Sequence, residues 1–254
     1  MPKKVDSVMK VFFIGGGNIT RIVLEKLGNR IERCWYYDLE EKQIPCQFIG
    51  NSFHVPVEAD VVVEAASVEA VKTYGIDVLK SGKDFYVISS GAFADEEFTR
   101  KFAEALKHSP SRVFVPSGAV GGIDIICALE GYLESVKLRT RKPPTAFGMD
   151  SNSISEPCVL FSGSVYEAIR NFPQNINVAV TLALAAKDFN KVRVEVLVDP
   201  SISQNIHELE ISSPVGNYKL VLQNKPSPNP KTSYLAPLSL VAALKKRIEK
   251  FIVG

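Results

Sequence analysis

Two glycines spaced as Gly15-x-Gly17, a carboxylate at Asp38 and an imidazole at His207 are the groups in this chain whose types and spacing suit chemistry on a small molecule. In FIGGGNIT (Phe13–Thr20) an apolar run meets three glycines just ahead of a helical period. In a dinucleotide-binding loop one glycine makes a tight turn and the next lets the backbone approach phosphates. The N–H groups of the following helix then point at those phosphates. Gly15 and Gly17 hold the two places, Asn18 and Ile19 open the helix, and Thr20 stands where a third glycine would serve helix–strand packing. Such a turn is common on its own, so the second marker matters more. Asp38 ends WYYD about 20 residues downstream, where a carboxylate can accept from a ribose 2′-hydroxyl. An acid there repels a 2′-phosphate, so NAD is expected in preference to NADP. Ala65, Ala66 and Ser67 follow the apolar run Val61–Glu64, and their small side chains leave room for a ribose or nicotinamide.

A nicotinamide enzyme also needs a polar group against the substrate. Of the three histidines, His54 lies in a loop, and His108 ends a helix where an imidazole suits the C-terminal dipole. His207, in SQNIHELEI, is different: strand alternation puts Asn205, His207, Leu209 and Ile211 on one face. A half-buried imidazole beside an amide suits a general acid–base, a carboxylate donor or a structural hydrogen bond equally well. FPQNINVAV sets Asn175 and Asn177 at the start of an apolar helix, and NPKTSYL groups Lys231, Thr232 and Ser233 in a turn before the last helix. The first pair suits capping or ligand contact, the second group a substrate carboxylate or a capped helix start.

The elements that must position these residues alternate in the first half: strands at Val11–Ile14, Arg33–Tyr37, Val61–Glu64, Phe85–Ile88 and Arg112–Val115, and helices at Asn18–Leu27, Val68–Lys80 and Asp95–Lys107. That order predicts βαβ units around a parallel sheet. SGAVGG (Ser117–Gly122) then leads into an apolar helix through about Leu133. Longer strands follow at Val136–Thr140, Cys158–Phe161, Val192–Val198, Ile206–Ile211 and Tyr218–Leu222. They predict an α+β domain with a largely antiparallel sheet. A last helix over Ser239–Phe251 is expected to pack back on the first domain. The division is residues 1–119 with 231–254, and residues 120–230.

The near-balance of 30 basic and 28 acidic residues, net +2, predicts neither nucleic-acid binding nor attachment to a membrane surface. No apolar run approaches the roughly 20 residues that span a bilayer. Cys34, Cys46, Cys127 and Cys158 are scattered without a CxxC pair, and no histidine lies near them, so no metal site is expected. Sparse cysteines and the lack of an apolar signal core point to a reducing, cytoplasmic setting.

Together GGGNIT, VVVEAAS, VISSGAFAD, FVPSGAVGGID, RTRKPP, FPQNINVAV, NIHELEI and NPKTSYL, in that order, resemble the L-aspartate dehydrogenase family over nearly the whole chain. The resemblance implies a Rossmann-like domain followed by an α/β substrate domain. It implies NAD(P)-dependent oxidation of L-aspartate to iminoaspartate, reversibly oxaloacetate plus ammonia, on the way to quinolinate and NAD. It puts the catalytic histidine on His207 and further NAD contacts on Ala119 and Asn177, and it implies a homodimer or larger homo-oligomer. Two departures stand out: Thr20 in the glycine loop, and the length of the loop NKPSPNPKTS. Competing readings are a homoserine dehydrogenase-like or dihydrodipicolinate reductase-like enzyme of the same plan, and a non-catalytic NAD-sensing module.

Overall fold

Continuous apolar runs bounded by glycine and small polar residues make the strands of the first half, because a parallel sheet covered on both faces buries every side chain. In the computed structural model, which describes residues 8–50, 52–150, 154–172, 176–228 and 233–253, the chain divides into two compact units. One is Met1–Gly118 with Ala236–Gly254, the other Ala119–Leu235.

The first unit runs β1 (Met9–Ile14), α1 (Asn18–Leu27), β2 (Ile31–Tyr37), β3 (Gln47–Phe48), β4 (Val61–Glu64), α2 (Val68–Lys80), β5 (Asp84–Val87), α3 (Glu96–Lys107) and β6 (Val113–Phe114). All its strand pairs are parallel, in the order β3-β2-β1-β4-β5-β6. The connections reverse direction between β1 and β4, the switch point outside whose carboxyl ends such sheets bind ligands. Helix starts are capped as their sequences dictate: Ser67 accepts from the Ala70 N–H and Asp95 from the Phe98 N–H.

Scattered cysteines do not stay apart. The parallel pairing Trp35↔Gln47 brings Cys34 and Cys46 to a Cα separation of 5.0 Å, and they form a disulfide. The disulfide removes the support that sparse cysteines gave to a reducing setting. Twelve residues of sequence separation meant little once β3 paired with β2, and an edge strand of two residues leaves almost no periodic signal. Cys127 and Cys158 are free thiols.

The second unit runs α4 (Ile123–Ala128), β7 (Ser135–Lys142), β8 (Cys158–Ser164), α5 (Val165–Asn171), α6 (Ile176–Ala186), β9 (Val192–Val198), β10 (Ile206–Ser213) and β11 (Gly216–Gln223). Its sheet has the order β11-β10-β7-β9-β8, with β7 and β9 parallel and every other pair antiparallel. α4 ends before the expected Leu133, because Gly131 at φ +83° turns the chain. α5 was not foreseen, although Ser164 and Glu167 form a capping box around its start. α7 (Leu235–Ile248) starts four residues before the expected Ser239, since the Ser233 hydroxyl accepts from the Leu235 N–H and Pro237 is tolerated in a first turn. Leu240, Val241 and Leu244 of α7 join the core of the first unit with Val11, Phe13 and Tyr86.

β7 shows why its two faces differ. Val136, Leu138, Thr140 and Lys142 point into the unit and are buried, alternating with Lys137, Arg139 and Arg141. The arginines form ion pairs on the other face, Arg139 with Glu195 and Glu208, Arg141 with Asp199 and Glu208.

Candidate active site

The glycine loop is shaped by contacts that its spacing alone does not show. Gly15 sits at φ +101°, and a Cβ there would lie 2.8 Å from the Ala65 carbonyl oxygen and 2.9 Å from the Ala66 Cβ. The first glycine therefore lets the turn after β1 meet the turn after β4 at the switch point. Gly17 is the N-cap of α1, with no side-chain cap, and nothing lies within 4 Å of a Cβ built on it. An N-terminus capped by glycine in open space suits a phosphate, since both the donors and the dipole favour an anion.

Thr20 is fully buried, and its hydroxyl donates to the Gly15 carbonyl at 2.6 Å. The residue in the third place thus ties helix to turn by a hydrogen bond where a glycine would only permit close packing. Asp38 accepts from the Gly16 N–H at 2.8 Å and braces the loop from the end of β2. Asn18 and Ile19 form the first turn of α1, and Ser67 is committed to capping α2. All eight sequence-picked residues of this unit converge on the carboxyl ends of β1, β2 and β4.

Glu64 was not singled out from the sequence. It closes β4 with no exposure, accepting from the Ala66 N–H at 2.8 Å, the Ser89 N–H at 3.0 Å and the Ser89 hydroxyl at 2.9 Å. Burial pushes its carboxyl above the usual range, against the hydrogen bonds that favour the anion. It ties the Ala65–Ser67 turn to the end of β5. A carboxylate closing an otherwise apolar VVVE run was the available signal.

In the second unit, His207 lies on the inner face of β10, 6% exposed, opposite Thr140 of β7. Its Nδ1 is 3.0 Å from the Thr140 hydroxyl. Burial, and after it the positive charge of Lys142, lower its pKa to about 4, so the ring is neutral near neutral pH. Among the described residues no hydrogen bond to Nε2 is found. Asn205 is half-buried at the start of β10. Leu209 and Ile211 share the His207 face and are buried, as alternation predicts.

Ala119 is half-buried, and its carbonyl accepts from the Asn224 side chain at 2.7 Å. Asn177 is the second residue of α6, while Asn175, Lys231 and Thr232 lie outside the described residues. The Ser233 hydroxyl accepts from the Leu235 N–H at 3.1 Å, at the start of α7. Thr140, bonded to His207, and Lys142, whose charge lowers the pKa of that ring, both lie within RTRKPP and were not singled out from the sequence. The alternation of that segment carried the signal, because it places both on the inner face.

A family model described as the C-terminal part of aspartate dehydrogenase matches residues 124–247, and one described as the NAD-binding domain of homoserine dehydrogenase matches residues 36–116. The chain is 44% identical over 247 residues to the L-aspartate dehydrogenase of Thermotoga maritima, covering 97% of this chain and all of the relative. It is 45% identical over 235 residues to that of Methanopyrus kandleri, covering 91% and 84%. A crystal structure of aspartate dehydrogenase from T. maritima superposes with a TM-score of 0.87 at 40% identity, covering 97% of this chain and 99% of that one.

Proposed function

We propose that this chain, which belongs to the L-aspartate dehydrogenase family, oxidises L-aspartate to iminoaspartate with a pyridine dinucleotide. The observation that carries the reading is His207, held neutral on the inner face of the second unit with Nδ1 on the Thr140 hydroxyl. The first unit fits the dinucleotide: Gly17 and the uncapped start of α1 take the pyrophosphate, Asp38 the adenosine ribose, and Ala65 and Ala66 leave space beyond. Ala119 and Asn177 are assigned to the cofactor through the family. Asp38 supports NAD over NADP. A homo-oligomeric assembly, implied by the family resemblance, completes the reading. Among the described residues no helix is long and apolar enough to cross a membrane.

A bound nicotinamide supplies the acceptor for the hydride that leaves the substrate Cα. The chain's own task is the proton. The imine forms from the neutral amine, so a base must deprotonate the bound ammonium. In the competent tautomer Nδ1–H of His207 donates to the Thr140 hydroxyl, and the Nε2 lone pair accepts the ammonium proton directly or through water. A ring with a pKa of about 4 supplies a lone pair and no cation. Of the two roles open to His207, base and carboxylate anchor, this favours the base. Asn205, Lys231, Thr232 and Ser233 are assigned to the substrate.

The test follows absorbance of reduced dinucleotide with L-aspartate, alongside D-aspartate, L-glutamate and L-homoserine, with NAD and with NADP. Turnover with L-aspartate alone is expected. His207→Ala should abolish most of it while NAD binding stays intact, and unchanged turnover in that variant would remove His207 from the mechanism. Turnover with L-homoserine instead would favour the second reading, for which the match over residues 36–116 speaks.

A further inference from the structure

A dicarboxylate substrate carries two anionic groups where Lys231 offers one cation, and we propose that Lys142 is a second, binding a carboxylate of the substrate beside His207. The inference rests on the L-aspartate reading for the identity of the ligand, but the observations on Lys142 stand apart from it. Lys142 is the last residue of β7 and only 8% exposed. Among the described residues no hydrogen bond or ion pair to its ammonium is found. Arg139 and Arg141, on the same strand and less buried, each engage two carboxylates. The strand thus has its cations on the open face neutralised, and the one on the inner face has no counter-ion among the described residues.

Ionised lysines almost never lie this deep unless they are paired. Burial alone lowers the Lys142 pKa, with no carboxylate acting against it. Lys142 is not wholly enclosed, since 8% of its surface is exposed. An anion can reach it there.

Register places Lys142 in the site. His207 opposes Thr140, and Ile206 opposes Arg141, so continuing the antiparallel ladder by one residue sets Asn205 level with Lys142. In such a pair opposed residues share a face, and Lys142 is the diagonal neighbour of His207. The Lys142 charge is felt at the imidazole, where it lowers the pKa. The result is one patch with a neutral imidazole, a hydroxyl, an amide and an unpaired cation. A carboxylate seated on Lys142 would also offset the charge that holds His207 down, raising its basicity when substrate is bound.

The experiment compares wild type, Lys142→Met and Lys142→Arg by steady-state kinetics with L-aspartate and by calorimetric titration of succinate into the NADH-saturated protein. Succinate carries the two carboxylates but no amine, so its binding is read without turnover. In Lys142→Met, KM and the succinate Kd should each rise at least about 30-fold, the loss typical of truncating one partner of a buried charge pair. The Kd for NADH should stay unchanged, kcat should fall far less than KM rises, and Lys142→Arg should recover most of the affinity. Thermal unfolding of Lys142→Met should match or exceed wild type, since an unpaired buried charge is removed. Lys142→Gln replaces Met if that variant does not fold.

Unchanged KM and succinate Kd would overturn the proposal. So would a collapse of kcat at constant KM, which would make Lys142 a proton-transfer group, or a wild type that binds no succinate. A wild type that binds succinate through Lys142 but does not oxidise L-aspartate would overturn the dehydrogenase reading and leave the anion site standing.

Discussion

Gly15→Ala and Gly17→Ala change the same loop by one methyl group each, yet they should fail in different ways. At Gly15 the new Cβ meets the Ala65 carbonyl oxygen at 2.8 Å and the Ala66 Cβ at 2.9 Å, and φ is +101°. A backbone held in a region that L-residues avoid costs about 1–3 kcal/mol. Prising apart two turns that touch adds roughly 1–3 kcal/mol of overpacking. A loss of about 4 kcal/mol in a chain of this size lowers Tm by roughly 10 °C. Cofactor affinity should fall as well, because the turn after β4 moves. Gly17 has φ −82° and an empty surround, so alanine there costs only the few tenths to about 1 kcal/mol of a poorer N-cap. Its methyl group would instead fill the space a phosphate needs, weakening NADH binding by about tenfold or more. Thermal unfolding by circular dichroism and NADH fluorescence titration of both variants make the comparison. A Gly17→Ala protein that binds NADH like wild type would refute the placement of the pyrophosphate. A Gly15→Ala protein as stable as wild type would refute the argument from close approach.

Thr20→Val keeps the shape but removes the donor to the Gly15 carbonyl; chemical denaturation should show a loss of about 1–3 kcal/mol. Glu64→Gln faces three donors with an amide that must itself donate, so about 2 kcal/mol of stability should be lost together with NADH affinity, read by the same two methods. Asp38→Ser removes the charge that disfavours a 2′-phosphate and should shift the kcat/KM ratio toward NADP by about tenfold or more in a two-cofactor assay. His207 has a folded pKa of about 4, below its ordinary value of 6.5. Its contribution to stability is therefore complete above pH ~6.5 and is lost as pH falls toward 4, at most about 3 kcal/mol in total. Denaturation of wild type and His207→Gln across that window should show the difference narrowing as pH falls, and a constant difference would contradict a buried neutral ring.

The sequence by itself determined the alternating first half, the glycine loop, the carboxylate at the end of β2 and the inward face of β10. These are local patterns, in which period, turn chemistry and capping act within a few residues of each other. α1, β4, α2 and β9 have the bounds their patterns predict. Other decisions needed partners distant in the chain. Thr20 reads as a departure from a glycine motif until its hydroxyl is found on the Gly15 carbonyl. Cys34 and Cys46 read as unrelated until β3 pairs with β2. Glu64 reads as the end of an apolar strand until Ser89 closes over it from the end of β5. Arg139, Arg141 and Lys142 look alike as a run of cations. Only the pairing of β7 with β9 and β10 brings Glu195, Glu208 and Asp199 to the arginines and leaves Lys142 beside His207. Charge is a property of one residue, but whether it is neutralised depends on which strands lie next to it, and that is settled by the fold.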